Sequence, residues 1–317
     1  MAEVKDMDIE MRQAYCRTLM ELAEEDPRVV IVEADLMKAA GTTPFKEKFG
    51  RRAIDVGVAE ADMVGIASGL CVQGFIPFAS TFGCFAARRT FDQFFISSNY
   101  ARLNVKLTGT DPGVSAVYNG GTHMPFEDIG LMRMIPDLVI AEPSDAASVC
   151  GIVRAMYRHQ GCCYLRLHRK KSPAIYGSEE TFELGKSKLL AEGRDITLIG
   201  LGAVMMQEVL KAASQLEKDG IHVTVIDAIS VKPLDRELIL AKARETGIVV
   251  TCENHQVDGG IGMAVTKLLA DENVSCRMGY IGVQDRFGQV GNLDYLIKAY
   301  NLSAEDICAK AKSLLGK

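Results

Sequence analysis

The sequence predicts an α/β protein of two domains, each a mainly parallel sheet flanked by helices, and three observations carry that prediction. Short apolar runs such as Val29–Glu33 and Ile76–Ser80 recur without the polar alternation of a half-exposed strand. Segments of helical period separate them. One polar stretch, Lys170–Arg194 with Pro173, Gly177 and Gly185, interrupts the alternation. At 317 residues and 48% hydrophobic content the chain is long enough to bury two cores.

Helical spacing of Met11, Tyr15, Leu19 and Leu22 predicts a first helix over Asp8–Ala23; Pro27 ends it, and Val29–Glu33 reads as a buried strand. Further strands fit Ala53–Val58, Ile76–Ser80, Leu103–Thr108, Leu138–Ala141 and Tyr164–Leu167, with helices between them. A second alternation follows, with strands Ile196–Gly200, Val223–Asp227, Ile248–Cys252 and Cys276–Ile281. Its helices are Val204–Lys218, Leu234–Glu245, Gly262–Ala270 and Ala304–Leu315. The expected boundaries are a first domain over 1–178, a linker over 179–193 and a second domain over 194–317.

A net charge of −5, no tryptophan and no long basic run leave no footprint for nucleic acid or an anionic membrane. No stretch approaches the roughly 18 apolar residues of a spanning helix, and the N-terminal MAEVKDMDIEMRQ is polar, so a cytoplasmic protein is expected. Nine cysteines without CxxC pairs read as reduced, mostly buried small hydrophobes. There is no Walker A loop, GxSxG elbow, HExxH or kinase signature, which leaves hydrolase and phosphotransferase readings without machinery.

An open parallel sheet holds its ligands at the carboxyl ends of its strands, and the unusual side chains gather there. Asp55–Leu70, DVGVAEADMVGIASGL, runs from a strand end into a helix whose first turn carries Glu60 and Asp62, followed by small residues. Complementing the helix dipole, worth roughly 0.3–1 kcal/mol, accounts for such carboxylates; apolar neighbours leave a chemical role open. After Ile76–Ser80, Phe82 and Phe85 stand three apart and can share a helix face, as core or as a platform for a flat ring. After Leu103–Thr108 comes GTDPG, then NGGTHMPFED, in which His123 precedes a helix with Pro125 near its start. After Tyr164–Leu167 stand His168, Arg169, Lys170 and Lys171, a cationic cluster in an acidic protein. In the second domain Glu253-Asn254-His255 and Gly259-Gly260-Ile261-Gly262 lead from a strand into a helix that could offer N–H donors to an anion. The spacing is not GxGxxG and no acidic residue follows at the dinucleotide distance, so a structural turn and a satisfied core His255 are expected.

Taken together, GVAEADMVGIASGL, STFGCF with RRTFDQF, GGTHMPFEDIGLMRMIPDL, ENHQVDGGIGMAV and DRFGQVG resemble, in order and over nearly the whole chain, the C-terminal half of transketolase. The resemblance implies that the two domains are that family's pyrimidine-binding and C-terminal domains, with thiamine diphosphate as cofactor. It implies that Glu60 contacts N1′ of the aminopyrimidine, where a shared proton favours the tautomer whose exocyclic nitrogen can deprotonate the thiazolium carbon. The same resemblance makes Phe82 and Phe85 the residues that pack on the aminopyrimidine and sets Asp35 near the thiazolium side. His123 is implied to hydrogen-bond substrate oxygens and relay protons, with Glu60 the second catalytic residue. Arg12 and Arg169 are implied to bind the sugar phosphate, a task suited to planar guanidinium groups.

Three positions depart from the family. Its acidic residue four before the histidine is Asn119, which can still hydrogen-bond a substrate hydroxyl; a phosphate-binding histidine appears as Thr110; and a phosphate-site serine falls near Ala39 or Ala40. These departures leave a branched, deoxy or otherwise modified sugar phosphate open beside the common ones. The GDG motif that holds the diphosphate through a metal ion in that family is absent. The implied enzyme is split, with Mg²⁺ and the diphosphate held by a separate N-terminal-half subunit and no metal ligand in this chain. An α2β2 assembly with self-association of this chain is expected, transferring a two-carbon ketol unit from a ketose phosphate to an aldose. Two alternatives stand beside it: the β subunit of a 2-oxo acid dehydrogenase first component, and a non-catalytic scaffold subunit. THMPFED with Arg12 and Arg169 weighs against the first, and the joint presence of Glu60, Phe82 and His123 against the second.

Overall fold

The computed structural model describes residues 8–317, so segment 1–7 of the polar N-terminus lies outside the described residues. Those described fall into two compact units: residues up to Pro112 with Leu131–Leu184, and Gly113–Gly130 with Gly185–Lys317.

The first unit holds β1 (Val29–Glu33), β2 (Ala53–Asp55), β3 (Ile76–Phe82), β4 (Lys106–Thr110), β5 (Val139–Ala141) and β6 (Cys163–Leu167). All pair in parallel, in the order β5-β6-β4-β3-β1-β2. Strands β1, β4 and β6 are buried throughout, as a parallel sheet covered on both faces requires, and they carry Glu33, Lys106 and Arg166 into that interior. The chain adds β2 on one side of β1 and β3 on the other, so the switch point of the sheet lies between the carboxyl ends of β1 and β3. The helix Met11–Glu25 turns Met11, Ala14, Tyr15, Leu19 and Leu22 inward and packs beside the helix Ala146–Arg158. That second helix starts at Asp145, whose side chain accepts the Ser148 N–H in a capping box.

The second unit holds β7 (Lys188–Ala191), β8 (Ile196–Leu201), β9 (Val223–Asp227), the short β10 (Ser230–Lys232), β11 (Ile248–Gln256) and β12 (Arg277–Val283). Its sheet runs β12-β11-β8-β9-β7, parallel except for β7, which lies antiparallel on β9. Strand β7 sits inside the stretch expected as a linker. It is a short edge strand, half-buried on one side only, and its apolar run, Leu189-Leu190-Ala191, is too short to stand out from the polar stretch around it.

The glycine-rich turn after β11 is structural, as expected. Both carboxylate oxygens of buried Glu253 accept N–H groups at the start of the helix Ile261–Asp271, Ile261 at 2.8 Å and Gly262 at 3.0 Å. A side chain at Gly260 would collide with that carboxylate, which explains the glycine. The donors that an anion would need are already used by the protein itself. All nine cysteines are free, and six of them are buried.

Candidate active site

Four groups of side chains mark the strand ends. The first surrounds Glu60, the opening residue of the helix Glu60–Val72. The loop before it is held by Asp55, whose Oδ1 accepts the N–H of Asp35 at 2.9 Å and of Gly57 at 3.1 Å. One carboxylate thus ties the loop after β1 to the loop leading into Glu60. Asp35 is exposed and carries a left-handed backbone, φ 60°. Glu60 is only 5% exposed.

The surroundings of Glu60 are not purely apolar, as the sequence suggests they would be. Its Oε1 accepts from Nη1 of Arg89 at 2.7 Å, and the Arg89 guanidinium lies 3.9 Å from the centroid of the Phe85 ring. Phe85 and Phe82 stand 6.0 Å apart at a 46° tilt, both half-buried. They do not share a helix face. Phe82 ends β3 and Phe85 lies in the helix Gly83–Arg88, so the rings meet across the strand-to-helix junction. A flat group bearing N–H donors therefore already stacks on Phe85 and hydrogen-bonds to Glu60. That is the relation an aminopyrimidine would take, and these residues fit the ring of thiamine diphosphate. The Arg89 side chain is 49% exposed, so it has room to leave.

The second group joins Arg12 and Arg169. Both donate through Nη1 to the carbonyl of Ala39, at 2.9 Å and 3.1 Å. Arg12 also grips Glu10, with Nε and Nη2 each 2.6 Å from Oε2. Arg169 donates its Nε–H to Oδ1 of Asp111 at 2.6 Å and sets Nη2 2.6 Å from Oδ2 as an ion pair. Burial pushes the Asp111 carboxyl up from its usual range, against the pull of Arg169. The Arg169 guanidinium also stands 5.0 Å from the Phe82 ring centroid, which links the two groups. At the expected phosphate-site serine the chain offers a backbone carbonyl instead. The carboxylate of Asp111, not Thr110, meets the arginine there.

The third group is buried and polar. Glu33, at the end of β1, is fully enclosed; its Oε1 accepts from the hydroxyls of Ser80 at 2.6 Å and Thr42 at 2.7 Å, while Oε2 has no hydrogen-bond partner among the described residues. Burial raises this carboxyl to about 7. His168, beyond β6, is 7% exposed, and its Nδ1 has no hydrogen-bond partner among the described residues; burial and the charges of Arg169 and Lys170 lower it to about 4.

The fourth group lies in the second unit, to which Asn119 and His123 belong. His123 ends a short 3-10 turn, Gly121–His123, and its Nδ1 pairs with the Thr122 hydroxyl at 2.8 Å. The next helix begins only at Asp128, later than the sequence suggests. Asn119 is exposed. The residues ENHQ at the end of β11 hold this segment at both of its ends. Asn254 Oδ1 accepts the Val114 N–H at 2.9 Å, His255 Nε2 accepts the Gly130 N–H at 3.3 Å, and the Gln256 N–H donates to Phe126 O at 2.8 Å. His255, wholly buried, is the satisfied core histidine expected.

Among the described residues, no three His, Cys, Asp or Glu side chains gather to hold a metal ion. Sequence reading missed Arg89, Asp111, Asp55 and Glu33. Asp111 sits in a glycine-rich loop at a strand end and Arg89 in a block already singled out, but neither block names its partner.

Comparisons with known proteins identify the family of the two units. The transketolase pyrimidine-binding domain matches residues 7–174, and the transketolase C-terminal domain matches residues 185–307. A 6-deoxy-6-sulfo-D-fructose transketolase subunit, SqwH, of Clostridium sp. (strain MSTE9) is 43% identical over 98% of this chain and 95% of its own length. An apulose-4-phosphate transketolase subunit of Phocaeicola vulgatus is 32% identical over 98% of each chain. A solved structure described as a split gene transketolase, inactive β4 tetramer, superposes with a TM-score of 0.88 at 39% identity, covering 97% of this chain and 98% of that one. The chain belongs to the transketolase family, whose pyrimidine-binding and C-terminal domains it comprises.

Proposed function

We propose that this chain is the C-terminal-half subunit of a split, thiamine diphosphate-dependent transketolase that moves a two-carbon ketol unit from a ketose phosphate to an aldose. In this reading a separate subunit holds the diphosphate and Mg²⁺, two copies of each chain form an α2β2 assembly, and the enzyme works in the cytoplasm. The observation that carries it is the buried Glu60 carboxylate beside the Phe82–Phe85 pair, already engaging a planar N–H donor. Support comes from relatives of matching length named as transketolase subunits, and from a solved split-gene neighbour described as inactive in its β4 form. Those relatives name different sugars, so family membership leaves the sugar open. The helix face bearing Gly65 and Gly69 is exposed, with Val58 and Val72 exposed beside it, which suits self-association.

Bound thiamine diphosphate supplies the carbanion-stabilising centre. Glu60 holds and returns a proton at N1′, and Phe82 and Phe85 fix the plane of the aminopyrimidine. Asp35 stands on the thiazolium side. His123 exchanges protons with substrate oxygens, Asn119 hydrogen-bonds a hydroxyl, and Arg12 and Arg169 orient the terminal anionic group.

The purified chain alone is expected to show no ketol transfer, and transfer is expected on adding a partner of roughly 270–300 residues carrying the GDG motif. Transfer by the chain alone overturns the split reading; decarboxylation of 2-oxo acids without ketol transfer overturns the reaction. A second expectation concerns Arg89. In Arg89→Met the thioether keeps contact with Phe85 while Glu60 loses its donor. Without cofactor the assembly should lose about 1 kcal/mol, a modest figure because the arginine is half exposed. Saturating thiamine diphosphate should close that gap, as read by thermal midpoints with and without cofactor.

A further inference from the structure

We propose that Asp111 sets the charge of the terminal-group subsite so that it selects a ketose ending in a singly charged acid of the sulfonate class over one ending in a dianionic phosphate. This rests on the reading of Arg12 and Arg169 as the groups that hold the sugar's terminal substituent. Arg12 and Arg169 are fixed side by side on the Ala39 carbonyl, and each is matched by a carboxylate, Glu10 and Asp111. Lys170 reaches Glu10 at 3.4 Å and is the remaining cation of the cluster, since Lys171 pairs with Asp8. Among the described residues, three cations against two carboxylates leave a single positive charge.

Asp111 cannot step aside for an incoming anion. It is 3% exposed, its backbone is held in the left-handed region at φ 59°, and its N–H donates to the Leu167 carbonyl at 3.1 Å. The fork of Arg169 that would grip two phosphate oxygens is thereby closed on a fixed carboxylate. Most donors of each guanidinium already have partners, and those left suit a tripod of weakly basic oxygens carrying one charge. A phosphate monoester brings about −1.5 to −2 charge at neutral pH and would leave the cluster with excess negative charge beside buried Asp111.

The test uses the enzyme assembled with its partner and three ketose donors of one carbon skeleton, ending in sulfonate, phosphate or hydroxyl. The sulfonate should have a kcat/KM about tenfold or more above each of the others. Asp111→Asn and Glu10→Gln should each raise phosphate relative to sulfonate by about tenfold. Glu10 is the more exposed of the two carboxylates, so its variant guards against a folding defect at Asp111. A wild-type sulfonate-to-phosphate ratio at or below one, or a ratio unchanged in both variants, overturns the proposal. Absence of transfer from all three sugars overturns the ketol-transfer reading instead. Calorimetric binding of the same sugars to the same complex, which needs no turnover, then decides the charge preference by the same two criteria.

Discussion

Replacing Glu60 by Gln in the assembled enzyme is expected to lower turnover by about 10²–10⁴-fold, the range attributable to one positioned acid–base group. The fold should survive. The glutamine oxygen can still accept from Arg89, which now meets Glu60 Oε1 at 2.7 Å, and no buried volume is lost. What disappears is the capacity to hold a proton at N1′. Ketol transfer at saturating thiamine diphosphate, with assembly followed by sedimentation, separates the two effects. If Glu60 only complemented the helix dipole, the change would cost at most about 1 kcal/mol of stability and leave turnover near normal, and that result would sink the assignment. Glu60→Ala is a poorer probe. It leaves the Arg89 guanidinium without its carboxylate and mixes a packing change with the chemical one.

The sequence carries Glu60, Phe82 and Phe85 plainly because their blocks are local: an acidic first turn after a strand, and two aromatic rings three residues apart. Elements closed by local chemistry are legible in the same way. The last helix begins at Ala304 because Ser303 and Asp306 form a capping box, and β1 spans Val29–Glu33 as its apolar run does. The strand expected to reach Val58 stops at Asp55, since Gly57 turns through positive φ and the Asp55 side chain caps that turn. What single-chain patterning cannot carry is pairing at a distance. Arg89 meets Glu60 across 29 residues and Arg169 meets Asp111 across 58, and nothing in either segment specifies the other. The segment bearing His123 illustrates the same limit. It lies within the stretch expected as the first domain, yet its ends are held by Asn254 and His255 of β11, more than a hundred residues later.

Two opposed pH dependences should be hidden in the first unit, and separating them is expected to expose about 3 kcal/mol each way. Glu33 has its folded carboxyl raised from 4.5 to about 7 by burial. Between those values the folded protein holds a proton that the unfolded chain has released, so stability falls as pH rises from about 4.5 to 7. His168 has its folded imidazole lowered from 6.5 to about 4, chiefly by burial. There the unfolded chain holds the extra proton, so stability is present above 6.5 and is lost as pH falls toward 4. The windows overlap and the slopes oppose, so between pH 4.5 and 6.5 the native chain should show little net dependence from this pair. Glu33→Gln keeps an oxygen for the Ser80 and Thr42 hydroxyls and removes only the titration. It should be more stable than the native chain at pH 8 and should lose stability on acidification. His168→Gln should do the reverse, its stability falling as pH rises from 4.5 to 7. Chemical denaturation midpoints at intervals from pH 4 to 8 check both, because titrations common to all three proteins cancel in the differences. A Glu33→Gln difference that stays constant across that range would mean the enclosed carboxyl is ionised throughout, with a proton donor or a buried water on Oε2.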